Sequence, residues 1–451
     1  MLQRLMFRPV RLVLPALVLW MIACGSDGPE ETPGDGKCKV DTDCGGATPA
    51  CGDAGVCVAC EMNSQCSGAA PVCELATNTC RGCSADTECS SGVCLGSLGT
   101  CATADQLVYV KEAGGVDTGM CEQSAPCATI NYAKNRATGA RNVLRVIGNL
   151  TQAGELQKKI HVDGDGGTWT SAGLPVLGVG TADGDVTIEG LTISGPPVVA
   201  DNAPVVQCLN NASLHFHDAK VKMAAPGIFS VCKLTLTKSQ VSETRTAVQC
   251  MDSALTIEDS KISGVARKVI EASGCQVKLV RNQITGTTSD QYFVDVINPP
   301  SLVIENNLLW DATTLTSNGI SVTGAPTGGV IRFNTMVASM AGVHTGEALT
   351  CSGTSVASSN VMAWQNGKAV GINPCARRFN AFDAQTPVGA GEGNTSGTLA
   401  NLFVNPISDF HLAATSPALG LADPNDKTSV DLDGKARPAT GRLDAGAYEV
   451  Q

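Results

Sequence analysis

The sequence predicts an all-β chain, a parallel β-helix solenoid preceded by a small disulfide-rich repeat region. Three observations predict it. Short strands of alternating apolar residues return about every 24 residues. Asn or Ser recurs at one fixed position of that repeat. Between Cys38 and Cys101 the cysteines fall into three units of like spacing. Composition agrees: 49 glycines, 4% aromatic and 16% charged residues suit a turn-rich scaffold of small and aliphatic side chains. The net charge of −11, with no long basic run after the first eleven residues, argues against a nucleic-acid partner.

The N-terminus reads as an export signal. Arg4, Arg8 and Arg11 precede an apolar stretch, Leu12 to Ile22, that is short for a membrane span. It closes on Met21-Ile22-Ala23-Cys24, which resembles the lipobox of bacterial lipoproteins with Met where Leu is usual. The resemblance implies a signal peptide over 1–23, a lipid on Cys24, and attachment to the outer membrane at the cell surface. Ordinary cleavage near Ala23, with Cys24 a bystander, is the other reading. Residues 24–37 are rich in Gly, Pro, Glu and Asp and read as a flexible linker.

Residues 38–101 form the disulfide-rich region. Its units are Cys38, Cys44, Cys51, Cys57; Cys60, Cys66, Cys73, Cys80; and Cys83, Cys89, Cys94, Cys101. Each opens C-x5-C and joins the next through C-x2-C. A polar run stands before each second cysteine: Asp41-Thr42-Asp43, Asn63-Ser64-Gln65 and Asp86-Thr87-Glu88. Units this small bury too little apolar surface to hold together without covalent staples. The C-x2-C pairs would also suit zinc, but the block has no histidine and export implies an oxidising compartment, so disulfides are expected. Four cysteines allow three pairings, and spacing leaves that choice open. The pattern loosely resembles Dickkopf-type cysteine-rich segments, which implies a spacer or binding knob.

The solenoid is assigned to 102–451. The pairs Val186/Ile188, Leu214/Phe216, Leu234/Leu236, Leu255/Ile257, Val277/Leu279 and Leu302/Ile304 are each followed, five residues on, by another aliphatic. Between the two pieces stands a column: Leu191, Ala219, Ser239, Ser260, Asn282, Asn307, Asn334, Asn360, Asn380. A repeat of about 24 residues is too short for a βαβ unit and matches one coil of a parallel β-helix. Like residues should then stack ~4.8 Å apart, and Asn is expected both to take the left-handed backbone of a turn and to bond amide to amide along the stack. Cys208 and Cys232, Cys250 and Cys275, and Cys351 and Cys375 lie about one coil apart and are expected to bridge neighbouring coils. Cys121 and Cys127 are expected to clip the N-terminal cap.

Tyr109-Val110, Pro126-Cys127-Ala128-Thr129-Ile130 and Tyr132-Ala133 resemble the opening of pectin-lyase-like right-handed β-helix proteins. Asp409-Phe410-His411-Leu412, Ser416-Pro417-Ala418, Asp431-Leu432-Asp433-Gly434, Arg437 and Asp444 to Glu449 resemble the closing segment of choice-of-anchor Q surface proteins. These resemblances imply a right-handed coil and a C-terminal closing segment, where Asp431, Asp433, Arg437 and Asp444 are expected to knit the cap instead of holding a metal.

Two functions fit such a chain. The first is a non-catalytic surface lipoprotein presenting its β-helix for adhesion, to a polysaccharide or another cell-surface protein. The alternative is a polysaccharide lyase or glycoside hydrolase acting on acidic polysaccharide. The outward strand positions offer only weak acid/base candidates, His217, Asp218, Glu258 and Asp259, with Lys238 and Arg281 alternating among them. No cofactor is demanded. Ca²⁺ is the one ion the turns could take, through Asp163 and Asp165 or through Asp183 and Asp185, although Asp-Gly is also a common turn dipeptide. The aromatics available for stacking on sugar are Trp169, Tyr292, Trp310 and Trp364, and their scarcity weakens both readings. The absence of a convergent acid/base set favours the first.

Overall fold

The computed structural model describes residues 37–450 apart from 182, 197–202, 225, 266, 287–291, 312–316, 339–345, 365–367, 371–374 and 385–390. Cys24 and the linker before Lys37 lie outside the described residues. The chain divides into two compact units. One comprises the chain up to Gln65 together with Cys73–Cys80; the other comprises Cys66–Val72 and Arg81–Gln451.

In the cysteine region the first cysteine of a unit bonds the third and the second bonds the fourth, as in Cys38–Cys51 with Cys44–Cys57 and Cys83–Cys94 with Cys89–Cys101. Cys60 and Cys73 follow the same rule. The polar runs explain themselves as one-turn 3-10 helices. Their first residue braces the loop ahead: the Oδ1 atoms of Asp41, Asn63 and Asp86 accept the amides of Cys51, Cys73 and Cys94 at 2.8, 2.9 and 2.8 Å. Their third residue caps the turn: Asp43, Gln65 and Glu88 accept the amides of Lys39, Glu61 and Ser84 at 2.7 Å each. Each third residue also accepts the next amide, of Val40, Met62 or Ala85, so three backbone-directed hydrogen bonds per unit supplement the disulfides.

The long unit is a parallel β-solenoid with three sheets of 12, 11 and 10 strands. A typical coil runs Ser213–His217 in sheet 1, Lys220–Ala224 in sheet 2, Ile228–Ser230 in sheet 3, and then returns to sheet 1 at Lys233–Thr237. Parallel crossovers of this kind are right-handed in nearly all proteins. Strands pair in register with their equivalents one coil on, so Val186, Leu214, Leu234, Leu255, Val277 and Leu302 form one inward ladder. These ladders make one continuous aliphatic core. Cys208–Cys232, Cys250–Cys275 and Cys351–Cys375 are each bonded, tying the end of a sheet 3 strand to the turn of the next coil. Cys121–Cys127 is bonded beside the first strand.

The Asn column is a hydrogen-bonded stack, and its reason differs in part from the sequence expectation. The left-handed residue is the one before it: Gly190, Asp218, Lys238, Asp259, Arg281, Asn306, Phe333, Ser359 and Phe379 have φ from 45° to 59°. One such residue turns the chain from sheet 1 to sheet 2. The next side chain then points inward and satisfies the turn of the neighbouring coil. Asn307 Oδ1 accepts the backbone amide and Nδ2 of Asn282 at 2.9 Å each, and its own amide donates to Asn334 Oδ1 at 3.0 Å. The same links join Asn334 to Asn360, Asn360 to Asn380, and Asn380 to Asn394, a member the period did not reveal. Toward the N-terminus hydroxyls substitute: the amides of Ala219 and Ser239 donate to Ser239 Oγ and Ser260 Oγ at 3.2 and 3.1 Å.

Residues after Leu399 fold back along the outer face of sheet 2. That outer row reads Lys220, Gln240, Lys261, Gln283, then turns less polar at Leu308, Thr335, Val361 and Ala381, where the returning segment covers it. Leu308, Val337, Val361 and Ala363 share a core with Phe403, Phe410, Leu412 and Tyr448. His411 stands between Asp409 at 2.5 Å and Asp433 at 2.9 Å and lies 4.1 Å from the Tyr448 ring. Burial opposes its charge, but the hydrogen bonds it donates to both carboxylates outweigh that and raise its pKa above the ordinary histidine value. A raised pKa contributes stability below the unfolded value of about 6.5 that disappears as pH climbs through the folded one. The melting temperature of the wild type should therefore exceed that of His411→Gln near pH 6, with the gap closing toward about pH 8. A gap that widens with pH would refute this role.

Candidate functional site

The outer face of sheet 1 gathers chemistry at its N-terminal coils. Pairing places Arg145, Asp163, Glu189, His217, Thr237 and Glu258 in one row. The adjacent row, two residues earlier on each strand, holds His161, Thr187, His215 and Thr235. Strand alternation therefore sends these side chains to one side. Three of the chain's five histidines stand here.

The third cysteine module belongs to this compact unit and docks on that face. Val93, Leu95 and Ala102 pack with Leu107, Tyr109 and Val143. Asp86 Oδ2 lies 2.5 Å from Arg145 Nη2, and Arg145 also pairs with Asp163 and with Asp165 at 3.0 Å. Burial opposes the Arg145 charge, yet Asp163 and Asp86 hold its pKa above the ordinary value. Nearby, Glu189 accepts from the Ser97 amide at 3.1 Å, the Ser97 hydroxyl at 2.9 Å and His161 Nε2 at 2.9 Å. Burial would raise the Glu189 pKa, but the bonds from His161 and Ser97 prevail and keep it below the usual carboxylate range. A Cβ on Gly96 would lie 2.5 Å from Glu189 Oε1, so a larger residue there would displace this carboxylate from its present position. Replacing Ser97 by Ala should loosen the module by about 1–3 kcal/mol, because Glu189 is buried and loses a donor. Hydrogen exchange would show it as faster exchange over 83–101 with the coils beyond 233 unchanged; unaltered exchange over 83–101 would remove the clasp role.

Between the module's loop and sheet 1 lies a cleft of about 480 Å³, whose walls include Leu98, Thr187, His215, His217, Thr235 and Thr237. His217 Nδ1 is 2.9 Å from Thr237 Oγ1, while that hydroxyl donates to the Phe216 carbonyl at 3.2 Å. With its one proton so committed, Thr237 accepts from Nδ1–H, leaving the lone pair on His217 Nε2. His215 Nε2 lies 3.5 Å from Asp185 Oδ1. Burial lowers the pKa of both imidazoles, against the pull of Asp185 on His215 and of Glu189 on His217.

Of the residues singled out by sequence, His217 lines the cleft. Asp218 follows it at a left-handed turn position. Glu258 lies two rungs from His217 and pairs with Lys278. Asp259 is held by Arg281 through bonds of 2.6 and 2.9 Å. Asp163 and Asp165 turn to Arg145. Among the described residues, the only groups of three potential metal ligands with atoms within 4.8 Å of one another are disulfide cysteines. Trp169 and Trp364 are fully buried and Trp310 packs 5.3 Å from Phe410, which leaves Tyr292, half-buried, as the remaining aromatic candidate. Sequence reading passed over His161 and His215, although the His-x-His alternation at 215 and 217 was a usable sign. Nothing in the sequence pointed to Ser97.

No family model and no curated protein sequence matches the chain. Among solved structures, pectate lyase Pel9A is similar at a TM-score of 0.41 and 13% identity, over 77% of this chain and 97% of that one. The solenoid assignment rests on the strand register of this chain.

Proposed function

We propose that this chain is an exported, lipid-anchored surface protein that presents sheet 1 as a non-catalytic binding face for a glycan or another surface protein. One observation carries the reading: four carboxylates of the face, including three rungs of one row, are already engaged in the fold. Glu189 is held by Ser97 and His161, Asp163 by Arg145, Glu258 by Lys278 and Asp259 by Arg281. A general acid or base has to be within reach of substrate and able to exchange its proton, and groups tied to structural cations are poorly placed for that. The cleft combines hydroxyls, imidazoles and aliphatic surface, which suits recognition.

The test is a screen of the full chain against acidic polysaccharides, reading binding, unsaturated products and reducing ends together. Binding without turnover is the expected result. Turnover lost in Glu258→Ala or Asp259→Ala would replace this reading with the lyase or hydrolase one. For the anchor, Cys24→Ser should stop incorporation of labelled fatty acid and release the protein from the membrane fraction; unchanged labelling would refute lipidation at Cys24.

A further inference from the structure

The cleft beside the third module carries a charge balance that depends on two imidazoles. The charged side chains around them are Lys159, Lys233 and Lys238 against Asp185, Glu189 and Asp218, while the third imidazole of the cleft, His161, is bonded to Glu189. The loop 95–98 and Gln106 bring no charge, and Asp86, Asp163 and Asp165 are turned to Arg145. Three cations therefore face three anions, and Glu189 is further neutralised by its donors. His215 and His217 stand two residues apart on one strand, so both rings face the cleft side of sheet 1. Thr187 and Thr235 flank His215 in its row. Protonation of the pair adds two positive charges to a site that is otherwise balanced.

We propose that this cleft binds the anionic group of a carboxylated or sulfated saccharide, and that proton uptake by His215 and His217 tightens binding as the medium acidifies. The inference rests on sheet 1 being a ligand face and adds the ligand's charge and a pH control. His217 Nε2 holds the available lone pair, since Nδ1 is engaged with Thr237. Burial keeps both rings neutral near pH 7, so the cleft is cationic only when acidified or when an anion draws the protons in. Hydroxyls of Thr187 and Thr235 suit the sugar's hydroxyls.

The full chain would be titrated with three fluorescent oligosaccharides, one polygalacturonate, one sulfated dextran and one neutral dextran, at about pH 7.5 and about pH 5. Affinity for at least one anionic probe should rise about tenfold or more on acidification, since each imidazole whose pKa climbs one unit on binding contributes a factor of ten. Sulfate titrates at neither pH, so that arm separates protonation of the protein from protonation of the ligand. The His215→Asn, His217→Asn double variant should hold affinity constant within about twofold between the two pH values, and a thermal midpoint matching the wild type's at each pH shows the fold intact. A double variant that keeps the pH dependence would overturn the inference, as would an equal gain for neutral dextran or no binding of either anionic probe. Tight, pH-independent binding would leave the ligand face standing and sink only this inference.

Discussion

Asn334→Ala is expected to destabilise the solenoid by about 3–5 kcal/mol, because the side chain is fully buried and serves both neighbouring coils. Its Oδ1 accepts the Asn307 amide and Nδ2 at 3.0 and 2.9 Å. Its Nδ2 donates to the carbonyls of Ile304 and Arg332 at 2.8 and 3.0 Å and to Asn360 Oδ1 at 3.0 Å. Alanine leaves the Asn307 amide and the Ile304 carbonyl buried without these partners, and each orphaned group costs about 1–3 kcal/mol. Asn334→Asp should be nearly as damaging, since aspartate keeps the acceptor, loses the donors and buries a charge beside other acceptors. Denaturant unfolding measures the loss. A change below about 1 kcal/mol for alanine would mean that the stack is a by-product of the coil geometry and contributes little to its stability.

Arg437→Met is expected to cost about 3–5 kcal/mol and to free the returning segment from sheet 2, because breaking a buried pair leaves one charge uncompensated. The Arg437 and Glu449 side chains are 0% and 3% exposed and meet at 2.6 Å. The same guanidinium donates to the carbonyls of Asp444 and Gly446 at 3.1 and 2.7 Å and to Asn306 Oδ1 at 3.0 Å, and it lies 4.6 Å from the Phe333 ring centre. It thus joins the last residues to two coils of the solenoid. Methionine preserves much of the stem's volume and removes every donor. Protease cleavage after 399 and binding of an apolar dye to the uncovered Leu308, Val337 and Val361 would report the release. Glu449→Gln keeps an acceptor for Arg437 and should be milder. If Arg437→Met left dye binding and cleavage unchanged, the apolar contacts of Phe403, Phe410 and Leu412 alone would hold the segment.

The core of the solenoid was legible because its physics is periodic. Alternating aliphatics at a constant interval can be buried together only if equivalent strands stack, and Val186 to Leu302 stack as that interval requires. The column from Leu191 to Asn380 was legible for the same reason, although the backbone role assigned to Asn belongs to the residue before it. That residue includes Lys238, Arg281 and Phe333, types with no preference for a left-handed turn, so local propensity could not reveal it. The turn is imposed by the strands on either side.

The cleft was legible only in fragments. His217 stood out by its outward position, but the partners that define its surroundings come from distant chain. Ser97 and Glu189 are 92 positions apart, and Asp86 and Arg145 are 59 apart. The same holds at the C-terminus, where Asp431, Arg437 and Asp444 could be grouped as a knot while their anchorage on Asn306 and Phe333 could not. Spacing within a repeat reports which residues share a ladder, since each coil adds a fixed rise along one axis. It carries no information about which loop folds back over which rung, because that choice is made by shape and charge complementarity between surfaces that the repeat places far apart in the chain.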